Sequence, residues 1–365
     1  MTEKKVKTKN LGAFSNFFTR VSTEDQVLLA RHLAVMAKAG MPLLESVKMI
    51  QKETTSRSLI KILNQVVEDV SNGQFLSASL AKFQNVFGNL FINLIRVGES
   101  AGILAENLNY LADELKKKRE LKKKVTGALI YPAVIFGATF GITILLTVFI
   151  FPKILPIFKS LNVELPITTR ILIWVSDSLT NYGGWIALGA LVFLIMLYGV
   201  SLIQKVRYFM HWALLKLPVF GKIARGVNLA NMTRTLGLTL KSGVRVVEAM
   251  TITAESLSNK IYQKELLKAA EGIRRGEALG PILEKKKKLF PSIVTQMVTV
   301  GETSGTLSET LLYLSDFYEG EVNESTKNLS TVLEPLLMLT MGVVVGFVAI
   351  SIITPIYAIT QNVGG

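Results

Sequence analysis

The 365-residue chain contains no cysteine and only two histidines, His32 and His211. Disulfides, thiolate nucleophiles, iron–sulfur clusters, cysteine-type zinc sites and multi-histidine metal sites are thereby excluded. No Gly-x-x-x-x-Gly-Lys-Ser/Thr occurs, because Lys241-Ser242 lacks the preceding glycine, so there is no P-loop for nucleotide. No Gly-x-Ser-x-Gly elbow occurs either, and neither histidine has an evident triad partner. The reading is therefore of a chain that is not an enzyme, with no catalytic, cofactor-binding or metal-binding residue.

Charge is missing in blocks. None occurs between Lys124 and Lys153, a gap of 28 residues, none between Asp177 and Lys205, a gap of 27, and none in the 31 residues after Glu334. A bilayer core of about 30 Å needs roughly 20 apolar helical residues. Each gap holds such a run, and spans are expected at Ala128–Phe151, Gly184–Ile203 and from Glu334-Pro335 to Ile359. Buried core helices are seldom so long and so free of charge. Met1–Asn10 is basic, but no apolar core of signal-peptide length follows before Arg20.

What remains is half hydrophobic, which excludes disorder, and strongly basic, with net charge +14. Residues 1–127 carry net +8, 152–184 carry +1 and 185–334 carry +5. Lys116, Lys117, Lys118, Arg119, Lys122, Lys123 and Lys124 immediately precede the first span, which places that end in the cytoplasm by the positive-inside rule. The expected organisation is a basic N-terminal segment (1–23), a cytoplasmic bundle (24–127), a first span (128–151) and an external connector (152–183). A second span (184–203), a second cytoplasmic bundle (204–333), a third span (334–359) and an external tail (360–365) follow.

The two cytoplasmic segments are copies. A shift of 203 positions aligns them without a gap, with 23 identities in the 83 positions from Arg31 to Asp113. Unrelated sequences match at roughly 6 % of positions, so the chain is a direct repeat of one bundle followed by one span. The span at 184–203 has no counterpart and supplies the return crossing. Apolar residues recur at helical spacing in Leu28–Ala39, Leu59–Val70, Leu90–Val97 and Leu104–Leu115, with Gly40 and Gly73 at helix ends and Pro42 at a helix start. The fold class expected is an all-α membrane protein, with two homologous cytoplasmic helical bundles and three transmembrane helices.

Each copy carries Lys-(Ala/Ser)-Gly with a glutamate five residues on, at Gly40 and Glu45 and at Gly243 and Glu248. A glycine followed three residues later by leucine comes next, at Gly73 and Gly276. Then comes Val-Gly-Glu-(Ser/Thr)-x-Gly-x-Leu, holding Gly98, Glu99 and Gly102 in one copy and Gly301, Glu302 and Gly305 in the other. This pattern resembles the inner-membrane platform proteins of type II secretion and type IV pilus machines, the GspF/PilC family. The resemblance covers about residues 24–358. It implies six-helix cytoplasmic bundles, no enzymatic activity, binding to a hexameric cytoplasmic ATPase, contact with pilin or pseudopilin subunits and other inner-membrane components, and homo-oligomerisation. One departure stands out: Gly88 follows Phe87, whereas Pro291, the residue usual in the family, follows Phe290.

The motif residues have competing readings. Glu99 and Glu302 are expected to accept from free N–H groups at a helix start, with a partner surface or cation site as the alternative. Glu45 and Glu248 suit the positive end of a helix dipole. The lysines before the first span suit anionic lipid headgroups. Lys285, Lys286, Lys287 and Lys288 read as a solvated loop, or as a docking patch for an acidic partner. Nucleic acid is not expected, since no aromatics interleave the basic residues. Gly137-x-x-x-Gly141 and Gly342-x-x-x-Gly346 are expected to pack span against span, with contacts between copies of the chain as the alternative. A secondary transporter and a membrane-tethered scaffold are the rival functions, the first disfavoured by spans without broken, polar midpoints.

Overall fold

The structure is a computed structural model that describes residues 21–160, 166–201 and 203–363. The N-terminal basic segment falls almost wholly outside those residues, as do the end of the tail and part of the connector. Every regular element among the described residues is a helix. In the first copy these are α1 (Thr23–Lys38), α2 (Leu43–Glu53), α3 (Arg57–Ser71), α4 (Leu76–Ala81), α5 (Gln84–Ala101) and the start of α6 (Leu104–Leu145). α7 (Phe151–Ser160), α8 (Ile167–Ser201) and α9 (Gln204–Lys216) follow. The second copy holds α10 (Pro218–Lys241), α11 (Val246–Ser256), α12 (Lys260–Arg274), α13 (Leu279–Glu284), α14 (Ser292–Ser304) and the start of α15 (Leu307–Val363). α2, α3, α4 and the start of α6 map onto α11, α12, α13 and the start of α15 at the same shift of 203.

Local chemistry explains the helix starts. Ser22 and Asp25 form a capping box: the Ser22 hydroxyl accepts from the Asp25 N–H at 3.0 Å, and Asp25 accepts from the Ser22 N–H at 3.2 Å. Ser56 caps α3 and its repeat counterpart Asn259 caps α12. Packing explains much of the repeat identity. Leu33, Leu63, Leu76, Leu80, Phe87, Leu108 and Leu111 are all buried, and so are their identical counterparts Leu236, Leu266, Leu279, Leu283, Phe290, Leu311 and Leu314.

The two copies together form one compact unit, made of the described residues up to Lys123 and of Leu214–Val322. The second unit comprises Lys124–Ala213 and the residues from Asn323 onward. α6, α8 and α15 each contain a stretch long and apolar enough to cross a membrane. The segment 152–183, expected as a connector, is helical to Ser160 and again from Ile167. Between α6 and α7 the turn Leu146–Ile150 is π-helical, which takes carbonyls out of the ordinary ladder. The Ser176 hydroxyl donates to the Thr147 carbonyl at 2.7 Å, and the Thr169 hydroxyl to that of Ser351 at 2.8 Å. All four of these residues are buried. Phe151, Leu155 and Leu172 pack together beside them.

The two Gly-x-x-x-Gly faces correct the expectation drawn from them. A Cβ added at Gly137, Gly141, Gly342 or Gly346 meets no atom within 4 Å. The first and third apolar stretches instead face each other through Ile142, Leu146, Val345 and Val348, across a gap of about 330 Å³. No glycine lines this gap.

Candidate functional site

The Gly-Glu-x-x-Gly motif is a helix end. α5 runs on through Gly98 and Glu99 to Ala101, and only Gly102 is left-handed, at φ 71°. Gly305 ends α14 in the same way, at φ 76°. Gly98 is helical, and its neighbour leaves no room for a side chain: a Cβ there lies 2.9 Å from Leu104 Cα, at the start of α6. Gly301 is as tight, 3.1 Å from Leu307 Cα and 2.8 Å from the Thr310 hydroxyl. Gly98→Ala therefore forces α5 and α6 apart and costs about 1–3 kcal/mol, read as a lower melting temperature of the full chain.

The two motif glutamates reach across the bundle to another helix. The Glu99 carboxylate accepts from the N–H groups of Leu76 (2.6 Å) and Ser77 (2.9 Å) at the start of α4. Glu302 accepts from Leu279 (2.8 Å) and Gly280 (3.2 Å) at the start of α13. Neither α4 nor α13 has a side-chain cap of its own, since Phe75 and Ala278 occupy the N-cap positions. Gly73 (φ 81°) and Gly276 (φ 86°) make the turns that deliver these N–H groups, and Gly40 (φ 75°) and Gly243 (φ 82°) turn the chain between the first two helices of each copy. Glu45 and Glu248 lie exposed in the first turns of α2 and α11, and Glu45 pairs with Lys48 at 3.2 Å.

Gly88 and Pro291 reach one turn by two routes. Pro291 caps α14 at φ −57°, ψ 156°, and Gly88 takes φ 77°, ψ 167°. The ψ values agree, so both chains leave in an extended direction. The φ of Gly88 is closed to proline.

The basic runs divide. Lys117 bonds Asp316 at 2.9 Å and Arg119 bonds Glu24 at 2.7 Å, whereas Lys116, Lys122, Lys123 and Lys124 are exposed. Lys285, Lys286 and Lys287 pair with Glu277, Glu265 and Glu284 of their own copy, and Lys288 is exposed.

Sequence reasoning did not single out the residue that joins the copies. Arg234 on α10 is 3 % exposed and is surrounded by carboxylates: Glu319 at 2.6 Å, Asp316 at 3.4 Å and, from the first copy, Glu114 at 3.8 Å. Glu114 is as buried as Arg234 and accepts from the Thr235 hydroxyl at 3.2 Å. Its position on α6 is ahead of the charge-free stretch. Burial pushes its carboxyl above the ordinary carboxylate range, against the pull of Arg234, Lys118 and Lys117. Glu114 Oε2 and Arg234 Nη1 make no hydrogen bond. Around this group Lys241 lies 5.1 Å over the Tyr110 ring, and Asn89 donates to Glu255. The repeat held a clue: Arg31 and Asp113 pair at 2.6 Å in the first copy, at the positions of Arg234 and Asp316. A second unforeseen carboxylate, Asp69, is buried and accepts from Ser79 (2.6 Å), Lys82 (2.7 Å) and Gln65 (3.1 Å). Burial alone raises its pKa, but these donors outweigh it and hold the group below its ordinary value.

A family profile described as type II secretion system (T2SS), protein F, matches residues 29–152 and again 232–355, two windows separated by the same 203 positions. The chain belongs to this family. It is 34 % identical to a type IV pilus assembly protein PilC of Thermus thermophilus over 345 residues, 92 % of this chain and 82 % of the relative. It is 32 % identical to a type II secretion system protein F of Aeromonas hydrophila over 369 residues, 99 % and 92 % of the two chains. A PilC of Myxococcus xanthus is 32 % identical over 344 residues, 94 % and 82 %. Membership of the protein F family, with three apolar helices, makes this a multi-pass membrane protein. In this chain the Gly-Glu-x-x-Gly motif is a carboxylate clamp between helices, built twice.

Proposed function

We propose that this chain is the inner-membrane platform of a type IV pilus or type II secretion machine. It takes up the motion of a cytoplasmic hexameric ATPase and passes it to pilin or pseudopilin subunits in the membrane. The observation that carries this reading is the duplicated bundle: two copies joined by a buried ion cluster, each ending in a helix that continues into an apolar stretch. Such a unit has the features a non-enzymatic coupling part needs, and its relatives carry pilus-assembly and secretion names. Both bundles lie in the cytoplasm and the C-terminus outside, in keeping with the basic run Lys116–Lys124. The exposed Lys122, Lys123 and Lys124 contact anionic headgroups, each adding roughly 1 kcal/mol near the surface. Lys288 and its neighbours offer the ATPase a basic face. Copies of the chain associate, and nucleic acid is not a partner.

The test is affinity purification of the full chain from detergent-solubilised native membranes, with mass spectrometry of what co-purifies. A hexameric secretion ATPase with prepilin-like proteins is the expected recovery, and the type of pilin tells which machine is served. Proton- or sodium-driven solute uptake by the protein in proteoliposomes would overturn the platform reading in favour of a transporter.

A further inference from the structure

The contact that joins the two copies is heterologous: different faces of the repeated bundle meet. The first copy contributes α5 and α6, through Asn89, Tyr110 and Glu114. The second contributes α10 and α11, through Arg234, Thr235, Lys241 and Glu255, and one residue of α15, Asp316, which takes Lys117 of α6. Each copy therefore has one face of this contact left over. In the first copy it is the α1 face, and in the second it is the α15 face. Among the described residues these faces are open around Val35, Tyr313 and Phe317. Leu238 of α10 is 8 % exposed, and its counterpart Val35 on α1 is 59 % exposed. Glu114 of α6 is 1 % exposed, and its counterpart Phe317 on α15 is 39 % exposed. Tyr313, the counterpart of Tyr110, is 62 % exposed.

We propose that copies of this chain bind head to tail, the α15 face of one chain covering the α1 face of the next, in a repetition of the contact between the chain's own halves. This deepens the reading that copies associate and rests on it. The repeat preserves part of the chemistry: Ser292 and Lys52 stand at the positions of Asn89 and Glu255, but another contact is kept. Lys38 stands where Lys241 stands and Tyr313 where Tyr110 stands, so the cation–aromatic contact can form again. Phe317 replaces Glu114 and Val35 replaces Leu238, so an aromatic side chain stands where the buried carboxylate does, while Arg31 stands where Arg234 does. Aromatic residues and arginine are the side chains enriched in contacts between separate chains. A heterologous contact closes into a ring when its rotation allows.

The chain has no cysteine, so single cysteines report the contact directly. Two differently tagged full-length chains, one with Val35→Cys and one with Phe317→Cys, are co-expressed and cross-linked in native membranes. The expected product is a cross-linked pair carrying both tags, with no cross-link from either variant alone. Adding Tyr313→Glu to the Phe317→Cys chain should cut the yield about tenfold or more, since a charge is then forced into the seam. Its melting temperature should stay that of the parent, because Tyr313 is exposed within the chain. Cross-links only between like positions would overturn the proposal in favour of a two-fold contact. Oligomers of the unmodified chain without any mixed cross-link would show that another face holds them. An unmodified chain that is monomeric in nanodiscs and in several mild detergents would instead remove the underlying reading that copies associate.

Discussion

Replacing Arg234 with methionine lowers the melting temperature of the full chain by about 10 °C. Among the described residues the guanidinium is the only cation paired with buried Glu114, and it also holds Glu319 and Asp316. Removing one partner of a buried pair leaves an uncompensated charge and costs about 3–5 kcal/mol. For a unit of this size each kcal/mol is worth about 2–4 °C. Two controls separate this from a general effect of losing a charge. Arg31→Met removes the repeat counterpart, whose pair with Asp113 is largely exposed, and should cost less than about 1 kcal/mol. Glu114→Gln added to Arg234→Met should recover much of the loss, because the stranded charge disappears with it.

The pH dependence has a definite sign. Burial raises the Glu114 carboxyl in the folded state, so the folded protein binds this proton more tightly than the unfolded chain does. Stability from such a group is present below its unfolded pKa and is lost as pH rises through the folded one. In the parent, Arg234 opposes the shift. In Arg234→Met nothing comparable does, so the deficit is greatest at neutral pH and shrinks as pH falls toward the ordinary carboxylate range. Scanning the melting temperature of parent and variant from pH 7.5 to about pH 5 checks this, and a deficit that does not narrow would assign the loss to packing.

The repeat, the helices and the apolar stretches were legible because each rests on periodicity and on residues that have one structural use. Gly40, Gly73 and Gly102 end helices in left-handed conformations that other residues seldom take, and the core leucines recur at helical spacing. The Arg234 cluster was not legible, because Arg31 and Arg234 are the same residue in aligned positions. Only the docking of one copy on the other buries the second of them. Glu114 aligns with Phe317, so the repeat itself gave no sign of the partner. A residual signal was available: Arg234 is the only charged residue between Arg225 and Lys241. The Gly-x-x-x-Gly faces misled for a related reason. Small residues permit close approach, but whether a neighbour arrives is decided elsewhere in the fold.

Loss of either motif glutamate should unseat a helix in a different part of the sequence. Glu99→Ala leaves the N–H groups of Leu76 and Ser77 without an acceptor, and both residues are buried. An N-cap is worth about 0.5–2 kcal/mol, and hydrogen bonds to a charged group about 1.5–3. A loss of about 2–3 kcal/mol is expected, or about 4–12 °C, and Glu302→Ala should match it through Leu279 and Gly280. Glutamine at either position keeps one acceptor oxygen and should lose less than alanine. The two clamps lie in separate copies and share no partner, so the double variant should show the sum of the single losses. Loss of protection should appear first at the amides of residues 76 and 77, or 279 and 280, when hydrogen exchange is followed by peptide. If instead both alanine variants melt with the parent and fail only to recover machine components from membranes, the carboxylates face a partner and the clamp is incidental. The geometry argues against that outcome, because in each copy both carboxylate oxygens are already taken by backbone donors of the same bundle.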